Sequence, residues 1–338
     1  MSENPKHLLD TTSESTQRPS KIAKTVTESE DHSDEEEEQQ QPEKPMIPNP
    51  KIQRYLVAIE YIGTRFSGSQ QQPNCRTVVG VLQEAFHKFI GQPVSIFCSS
   101  RTDAGVHALS NVCHVDVERI SKRKPGEVLP PHEPTVVSRA VNHFLQKNEG
   151  DVMVIDVRCV PADFHARFKA KERTYFYRLL SGPESLSTFE RDRAWHVPED
   201  LDVLAMQEAC KVLVGHHDFS SFRAAGCQDD LHASSNKSET DLPLSSISID
   251  DKARSFNGGT DLGFGIRRGH RSFVVTARAR AFLYHQVRLL VGVLKAVGTR
   301  ELTISDVERI LNAKTVTAAS PMAPACGLYL GRVKYDLP

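Results

Sequence analysis

The sequence predicts an α+β fold of two halves with similar layout, forming a mostly antiparallel sheet with helices on one side. Three observations point there. Residues 55–160 alternate strand and helix signals in the order β-α-β-β-α-β, the ferredoxin-like pattern. Residues 174–335 run through a similar succession. The chain has 338 residues, 39% hydrophobic and 25% charged, which suits about two domains, or one large domain behind a tail.

The first half opens with the apolar, β-branched and aromatic run Tyr55–Tyr61, a strand closed by Gly63. Residues 77–90 place Val78, Val81, Leu82, Ala85, Phe86, Phe89 and Ile90 at helical spacing, with Gly91 as the stop. Strands are expected at 94–99 and 111–118. A helix over 135–147 carries Val136, Val137, Ala140, Val141 and Phe144 on one face and leads to a strand at 152–160. In the second half, a strand over 174–180 precedes a helix over 201–214 bearing Leu204, Ala205, Ala209, Val212 and Leu213. Strands at 245–250 and 272–280, helices at 282–297 and 304–313, and a strand over 328–335 complete it. No sequence repeat proves a duplication. The expected divisions are a tail over 1–50, halves over 51–165 and 166–338, and a cleft between the halves as the default site. Residues 224–271, rich in Ser, Asp, Asn and Gly, read as a long flexible insertion in the second half.

The formal net charge of −1 conceals two unequal parts. Residues 1–50 hold 12 acidic side chains, Glu35, Glu36, Glu37 and Glu38 among them, against 5 basic ones. The other 288 residues carry 37 basic and 31 acidic groups, a net of +6. The acidic segment, with Gln39-Gln40-Gln41 and four prolines from 42 to 50, cannot bury enough apolar surface to offset chain entropy, so disorder is expected. No apolar stretch approaches the roughly 18 residues of a membrane span, and residues 1–20 lack the apolar core of a secretory signal. Glu3, Asp10 and Glu14 argue against a mitochondrial transit peptide but leave one open, and Arg18–Lys24 is weakly basic. The expectation is an intracellular protein, of nucleus or cytoplasm ahead of mitochondrion, with no membrane partner. Seven widely spaced cysteines without a C-x-x-C or a Cys/His cluster support neither a disulfide framework nor a metal site.

Three segments carry chemistry. Ser100-Arg101-Thr102-Asp103-Ala104-Gly105-Val106-His107 lies between two predicted strands. Alone, Thr-Asp-x-Gly is a turn, in which Asp bonds the backbone ahead and Gly takes a positive φ. Phe164-His165-Ala166-Arg167-Phe168 precedes Arg173-Thr174-Tyr175-Phe176-Tyr177, a strand with Tyr175 and Tyr177 on one face. In Phe282-Leu283-Tyr284-His285-Gln286-Val287-Arg288, the arginine enters a helix that turns apolar at once. A charge at the start of so apolar a helix calls for a carboxylate partner.

These segments resemble the three principal motifs of the TruA-type tRNA pseudouridine synthases: Arg-Thr-Asp-Ala-Gly-Val-His, Phe-His-Ala-Arg before a Tyr-x-Tyr strand, and Phe-x-x-x-x-Val-Arg. Asp218-Phe219-Ser220-Ser221-Phe222-Arg223 and Ala325-Cys326-Gly327-Leu328-Tyr329-Leu330 extend the likeness over residues 54–335. Ala104 is similar to the family's bacterial pattern and also fits the animal tRNA pseudouridine synthase-like branch, as does Ala205-Met206-Gln207-Glu208-Ala209. The resemblance implies two RRM-like halves with a central RNA-binding cleft. It also implies isomerisation of a uridine in tRNA, in the anticodon stem-loop, without a cofactor or metal. Asp103 would be the catalytic carboxylate, by a chemical path the residues leave open. Arg288 would pair with it and hold it ionised. Tyr175 would stack on the uracil and could move a proton at C5. Arg101 would fill the space left by the flipped base. Phe164, His165, Arg167, Phe168, Phe222 and Arg223 would contact the RNA, with Arg278, Arg280, Arg119, Lys122 and Arg123 as looser phosphate contacts. The partner is tRNA or another structured RNA, and a homodimer is the assembly the resemblance suggests. His107 and His165 read as structural. One departure stands out: Pro243 is followed by Leu244 and Ser245, without the arginine of the family's Pro-x-Arg element.

Two rival classes remain. An inactive RNA-binding protein of the same fold would be favoured by loss of the Asp, Arg or Tyr, all of which are present. A glycosidase would need a second positioned acid, and nothing marks Asp116 for that role.

Overall fold

The computed structural model describes residues 51–124, 126–147, 150–224, 241–252, 269–316, 318–319 and 321–337. The expectations for residues 1–50, for 225–240 and for 253–268 lie outside them. Strand β1 (Ile52–Tyr61) alternates as a half-covered strand must: Tyr55, Val57, Ile59 and Tyr61 are buried, while Ala58 and Glu60 are half-exposed. Helix α1 (Val78–Ile90) begins at Thr77, whose hydroxyl accepts the Gly80 N–H, and stops at Gly91 with φ of 87°. It sends Val78, Leu82, Ala85 and Phe86 into the core. Then come β2 (Ile96–Cys98), β3 (His107–Glu118), α2 (Pro134–Gln146) and β4 (Val152–Val160).

The second half comprises β5 (Glu172–Ser181), β6 (Trp195–Val197), α3 (Val203–Leu213), β7 (Gly215–Asp218), β8 (Asp241–Lys252), β9 (Arg271–Ala279), α4 (Gln286–Gly298), α5 (Ile304–Ala313) and β10 (Leu328–Lys334). Its covered face is set by Phe273, Val275, Ala277 and Ala279 of β9, all buried, with Arg278 exposed on the other side. Among the described residues, no helix is long and apolar enough to cross a membrane.

Among the described residues, ten strands form one mixed, mainly antiparallel sheet in the order β4-β1-β3-β10-β5-β9-β8-β7, with β2 on β3 and β6 on β5. The first half reads β4-β1-β3-β2. In the second, β5-α3-β8-β9-α4-β10 gives β10-β5-β9-β8. Both follow one spatial order, fourth strand, first, third, second, so the same layout occurs twice. The seam is a short parallel pairing of His107 and Ala108 with Tyr329 and Leu330. It exists because β2 is short. β2 takes Cys113 to Val115 on the far part of that β3 edge, and the chain then leaves the sheet at Ser99.

Three differences from the sequence reading have local causes. β3 starts at His107 rather than 111, because pairing with β10 extends it into the Asp103 loop. α4 starts at Gln286 rather than 282: His285 is left-handed (φ 59°), and the Gln286 side-chain oxygen accepts the Leu283 N–H, forming a tight turn first. The strand expected at 245–250 is present but longer, β8 running over 241–252 because it is held between β7 and β9, inside the span also read as a flexible insertion. β6 and β7 had no sequence signal, being too short to show a period.

Candidate active site

The loop from Ser99 to Val106 rests on buried polar groups. The Ser99 hydroxyl donates to Asn111 Oδ1 (3.0 Å), and Asn111 Nδ2 donates to the Ser100 carbonyl (3.1 Å) and the Tyr61 hydroxyl (3.2 Å). The Thr102 N–H donates to Ser69 Oγ (2.8 Å), and the Ser69 N–H donates to the Thr102 carbonyl (2.9 Å). Gly68 permits this approach: its φ is 95°, and a Cβ there would lie 3.0 Å from the Thr102 carbonyl oxygen. The Val106 N–H donates to the Asp103 carbonyl (3.2 Å), and Gly105 has φ of 77°, so the backbone is the expected turn. The Asp103 carboxylate, however, ignores the turn and reaches across to the second half.

Its oxygen Oδ2 lies 3.4 Å from Arg288 Nη1 and 3.1 Å from His285 Nε2. Arg288 is aimed by a clamp: its Nε donates to the Ala323 carbonyl (2.8 Å), and the Ala323 N–H donates to the Arg288 carbonyl (3.1 Å). One turn along α4, Gly292 lets that segment come close, since a Cβ there would sit 1.9 Å from the Pro321 carbonyl oxygen. The Asp103 side chain keeps 29% of its surface exposed. Burial pushes its pKa up, but the His285 hydrogen bond and charge and then the Arg288 guanidinium outweigh this, leaving it below the ordinary carboxylate value.

Tyr175 lies on β5 between Ala277 of β9 and Leu330 of β10, with its ring edge-on to Phe282 at 5.1 Å. Burial pushes its phenol up to about 12, against the opposing pull of the Ser100 hydrogen bond and the Arg173 cation. That direction keeps the phenol neutral and leaves it poorly suited to accept a proton. Tyr177 is a core residue, as its strand position suggests, donating its hydroxyl to the Pro324 carbonyl (2.7 Å).

The remaining candidates divide sharply. Arg101 is exposed and makes no side-chain hydrogen bond or ion pair among the described residues. Arg167 is exposed, and Phe168 is 73% exposed. Phe164 and Phe222 are corrections: both are buried. Phe164 packs on Tyr335 and Phe222 on Phe219, because an aromatic ring is worth more in the core than at a wet surface. His165 is half-buried, and its Nδ1 accepts the N–H groups of Arg167 (3.1 Å) and Phe168 (3.4 Å), a structural role. His107 is likewise structural, accepting the Gly63 N–H at Nδ1 (3.1 Å) and facing the Asp192 carbonyl with Nε2 (3.1 Å). Arg223 is half-buried, and Arg278 and Arg280 are exposed. Arg119, Lys122 and Arg123 lie at the opposite end of β3, roughly 40 Å along the strand from His107.

Two residues of the site escaped the sequence reading. His285 sits three residues before Arg288, the spacing of one helix face, and that was its only signal. Arg173 shares the inward face of β5 with Tyr175. It donates to Ser100 Oγ (3.0 Å), to the carbonyls of Ser99 (2.8 Å) and Arg167 (3.1 Å), and to that of Arg280. It therefore ties three segments together: the Asp103 loop, the Arg167–Phe168 turn and the end of β9. A cation in the apolar phase of a strand was the available clue.

A family model described as tRNA pseudouridine synthase matches residues 57–169 and 209–336. Asp103, His285 and Arg288 fall within it, and Tyr175 lies in the interval between. The chain is 39% identical over 284 residues to the tRNA pseudouridine synthase A of Rhodospirillum centenum, covering 84% of this chain and 100% of that relative. It is 39% identical over 282 residues to the protein of the same name from Xanthobacter autotrophicus, covering 83% and 99%. With that of Parvibaculum lavamentivorans it shares 38% over 283 residues, covering 84% and 99%. These relatives are bacterial and bear on the family rather than on its animal branch.

Proposed function

The chain belongs to the tRNA pseudouridine synthase family, and from that premise we propose that Asp103 is the catalytic carboxylate, Arg288 the cation that keeps it ionised, and Tyr175 the aromatic surface beside the target uracil. The activity is isomerisation of uridine to pseudouridine in tRNA. The N1–C1′ bond breaks, the uracil turns, C5 joins C1′, the C5 proton leaves and N1 regains one. Such a reaction needs a group that stays anionic at neutral pH in a partly desolvated place, and it needs an extruded base.

The observation that carries the reading is the Asp103 carboxylate itself: partly exposed, held below its ordinary pKa and anchored to the other half of the fold. Tyr175, neutral and edge-packed on Phe282, fits stacking and hydrogen-bond donation better than base catalysis. Arg101, exposed two residues from Asp103, is placed to enter the gap left by a flipped nucleotide. Because Arg173 gathers the backbones of Ser99, Arg167 and Arg280, the exposed side chains of Arg101, Arg167, Phe168 and Arg280 stand on segments that meet at one residue of the site. There they can follow one RNA backbone, with Phe168 offered to a base face. Arg119, Lys122 and Arg123 are too far along β3 to join them. We read the anticodon stem-loop as the target and a homodimer as the assembly, both on the family resemblance.

The test is tritium release from tRNA labelled at uridine C5, with the modified position mapped. Wild type is expected to release label, and Asp103→Asn to give only background. Release by Asp103→Asn at the wild-type rate would overturn the assignment.

A further inference from the structure

We propose that His285 is a positioning residue for Asp103, gripping Oδ2 together with Arg288 so that Oδ1 is the oxygen left to react. The proposal rests on the reading of Asp103 as the catalytic carboxylate. Its starting point is a comparison of distances. The Arg288 contact to Oδ2 is 3.4 Å, long against the roughly 2.7–2.9 Å of a charge-assisted hydrogen bond, and the shorter bond of that guanidinium, 2.8 Å, goes to the Ala323 carbonyl. His285 Nε2 is nearer, at 3.1 Å. A carboxylate can only accept, so this contact is favourable with the proton on Nε2. The arginine alone would leave the carboxylate loosely held. The pair fixes one oxygen, and among the described residues Oδ1 has no hydrogen-bond partner.

The protein keeps His285 there against two local penalties. Its backbone is left-handed at φ 59° and ψ 7°, a conformation uncommon in residues other than glycine, although histidine enters it more readily than most. Its Nδ1 is buried with no hydrogen-bond partner. A role in packing alone would be met by a residue with neither penalty. The surroundings aim the ring: the Gln286 side chain accepts the Leu283 N–H and closes the turn that projects it. The Tyr284 ring lies over the imidazole at 3.7 Å, with 25° between planes. The titratable and charged groups facing Asp103 are His285 and Arg288 from the start of α4 and Tyr175 from β5. Loss of the histidine donor therefore makes the ionised carboxylate less favourable, with nothing to replace it.

The experiment compares His285→Asn, His285→Gln and Asp103→Asn with wild type in the tritium-release assay, recording kcat, KM for tRNA and the pH profile. Asn tolerates the left-handed backbone but is too short to reach Asp103. Gln can place an N–H near the position of Nε2. For His285→Asn, kcat should fall about ten- to a hundredfold with KM nearly unchanged, and the acid limb of the profile should move to higher pH. For His285→Gln, kcat should return to within roughly fivefold of wild type, with the acid limb unmoved. Wild-type kcat and acid limb in His285→Asn would overturn the proposal, as would a folded His285→Gln no faster than His285→Asn. If Asn prevents folding, Gln decides alone, and a hundredfold loss in the folded Gln protein overturns it. An active Asp103→Asn would instead overturn the catalytic assignment, so the two failures are distinguishable.

Discussion

Asp103 shows how one side chain can be legible in kind and illegible in setting. The turn chemistry of Thr102-Asp103-Ala104-Gly105 accounts for its backbone and would be satisfied without function. What raises it above a turn residue is the direction of its carboxylate, toward Arg288 and His285. Arg288 has two duties, the Ala323 carbonyl and Asp103, which a forked guanidinium can meet and a single ammonium cannot. Arg288→Lys should therefore lower kcat by about a hundredfold while the protein still folds. The sign of the pH effect follows from the depressed pKa of Asp103. A carboxyl stabilised as its anion contributes above its unfolded value and loses that contribution as pH falls through the lower folded value. In the lysine variant the acid limb of kcat should accordingly move to higher pH than in wild type. An unmoved limb, with activity intact, would show that the guanidinium does not act through Asp103.

At the scale of elements, the site depends on close approaches that only glycine permits. In α4, Gly292 is a poor helix former, and alanine would ordinarily gain about 1 kcal/mol there. The Pro321 carbonyl oxygen, 1.9 Å from where a Cβ would stand, reverses the sign. Gly292→Ala should destabilise the protein by roughly 1–3 kcal/mol in denaturant unfolding. It should also reduce kcat, because displacing the 321–323 segment loosens the clamp on Arg288. A variant as stable and active as wild type would remove the clamp from the account. The helix and strand periods were readable for most elements. α5, with its Thr303 and Asp306 capping box, matches the residues expected, and so does β4. The start of α4 was not readable. A left-handed His285 and a side-chain cap from Gln286 interrupt an otherwise helical pattern.

For the whole molecule, the catalytic group and its anchors come from different halves: Asp103 from the first, His285 and Arg288 from the second. The halves meet in the sheet through the two residue pairs of the β3–β10 seam. Leu330 lies in that seam, fully buried against β5 and β3. Leu330→Ala should cost roughly 2–5 kcal/mol. Since the seam positions the carboxylate against its anchors, activity should fall at temperatures where far-ultraviolet circular dichroism is still native. Loss of activity only at the global unfolding midpoint would show that the seam does not govern the site. The halves' common strand order was suggested by the order of strand and helix signals. Their edge-to-edge joining was not, because two residues of parallel pairing leave no period to read.

The sequence by itself determined the element types, the repeated β-α-β-β-α-β order, the family resemblance, and Asp103, Arg288 and Tyr175 as candidates. Each of these rests on short-range spacing or on residue chemistry that survives in a linear string. Tertiary structure decided which candidates face outward, moving Phe164 and Phe222 into the core while leaving Arg101 and Phe168 exposed. It also decided that Tyr175 stays neutral, that Arg173 gathers three loops, and that His285 is the nearer of the two partners of Asp103. Burial and hydrogen-bond direction depend on contacts between segments up to 185 residues apart, as Asp103 and Arg288 are, and no local pattern encodes them.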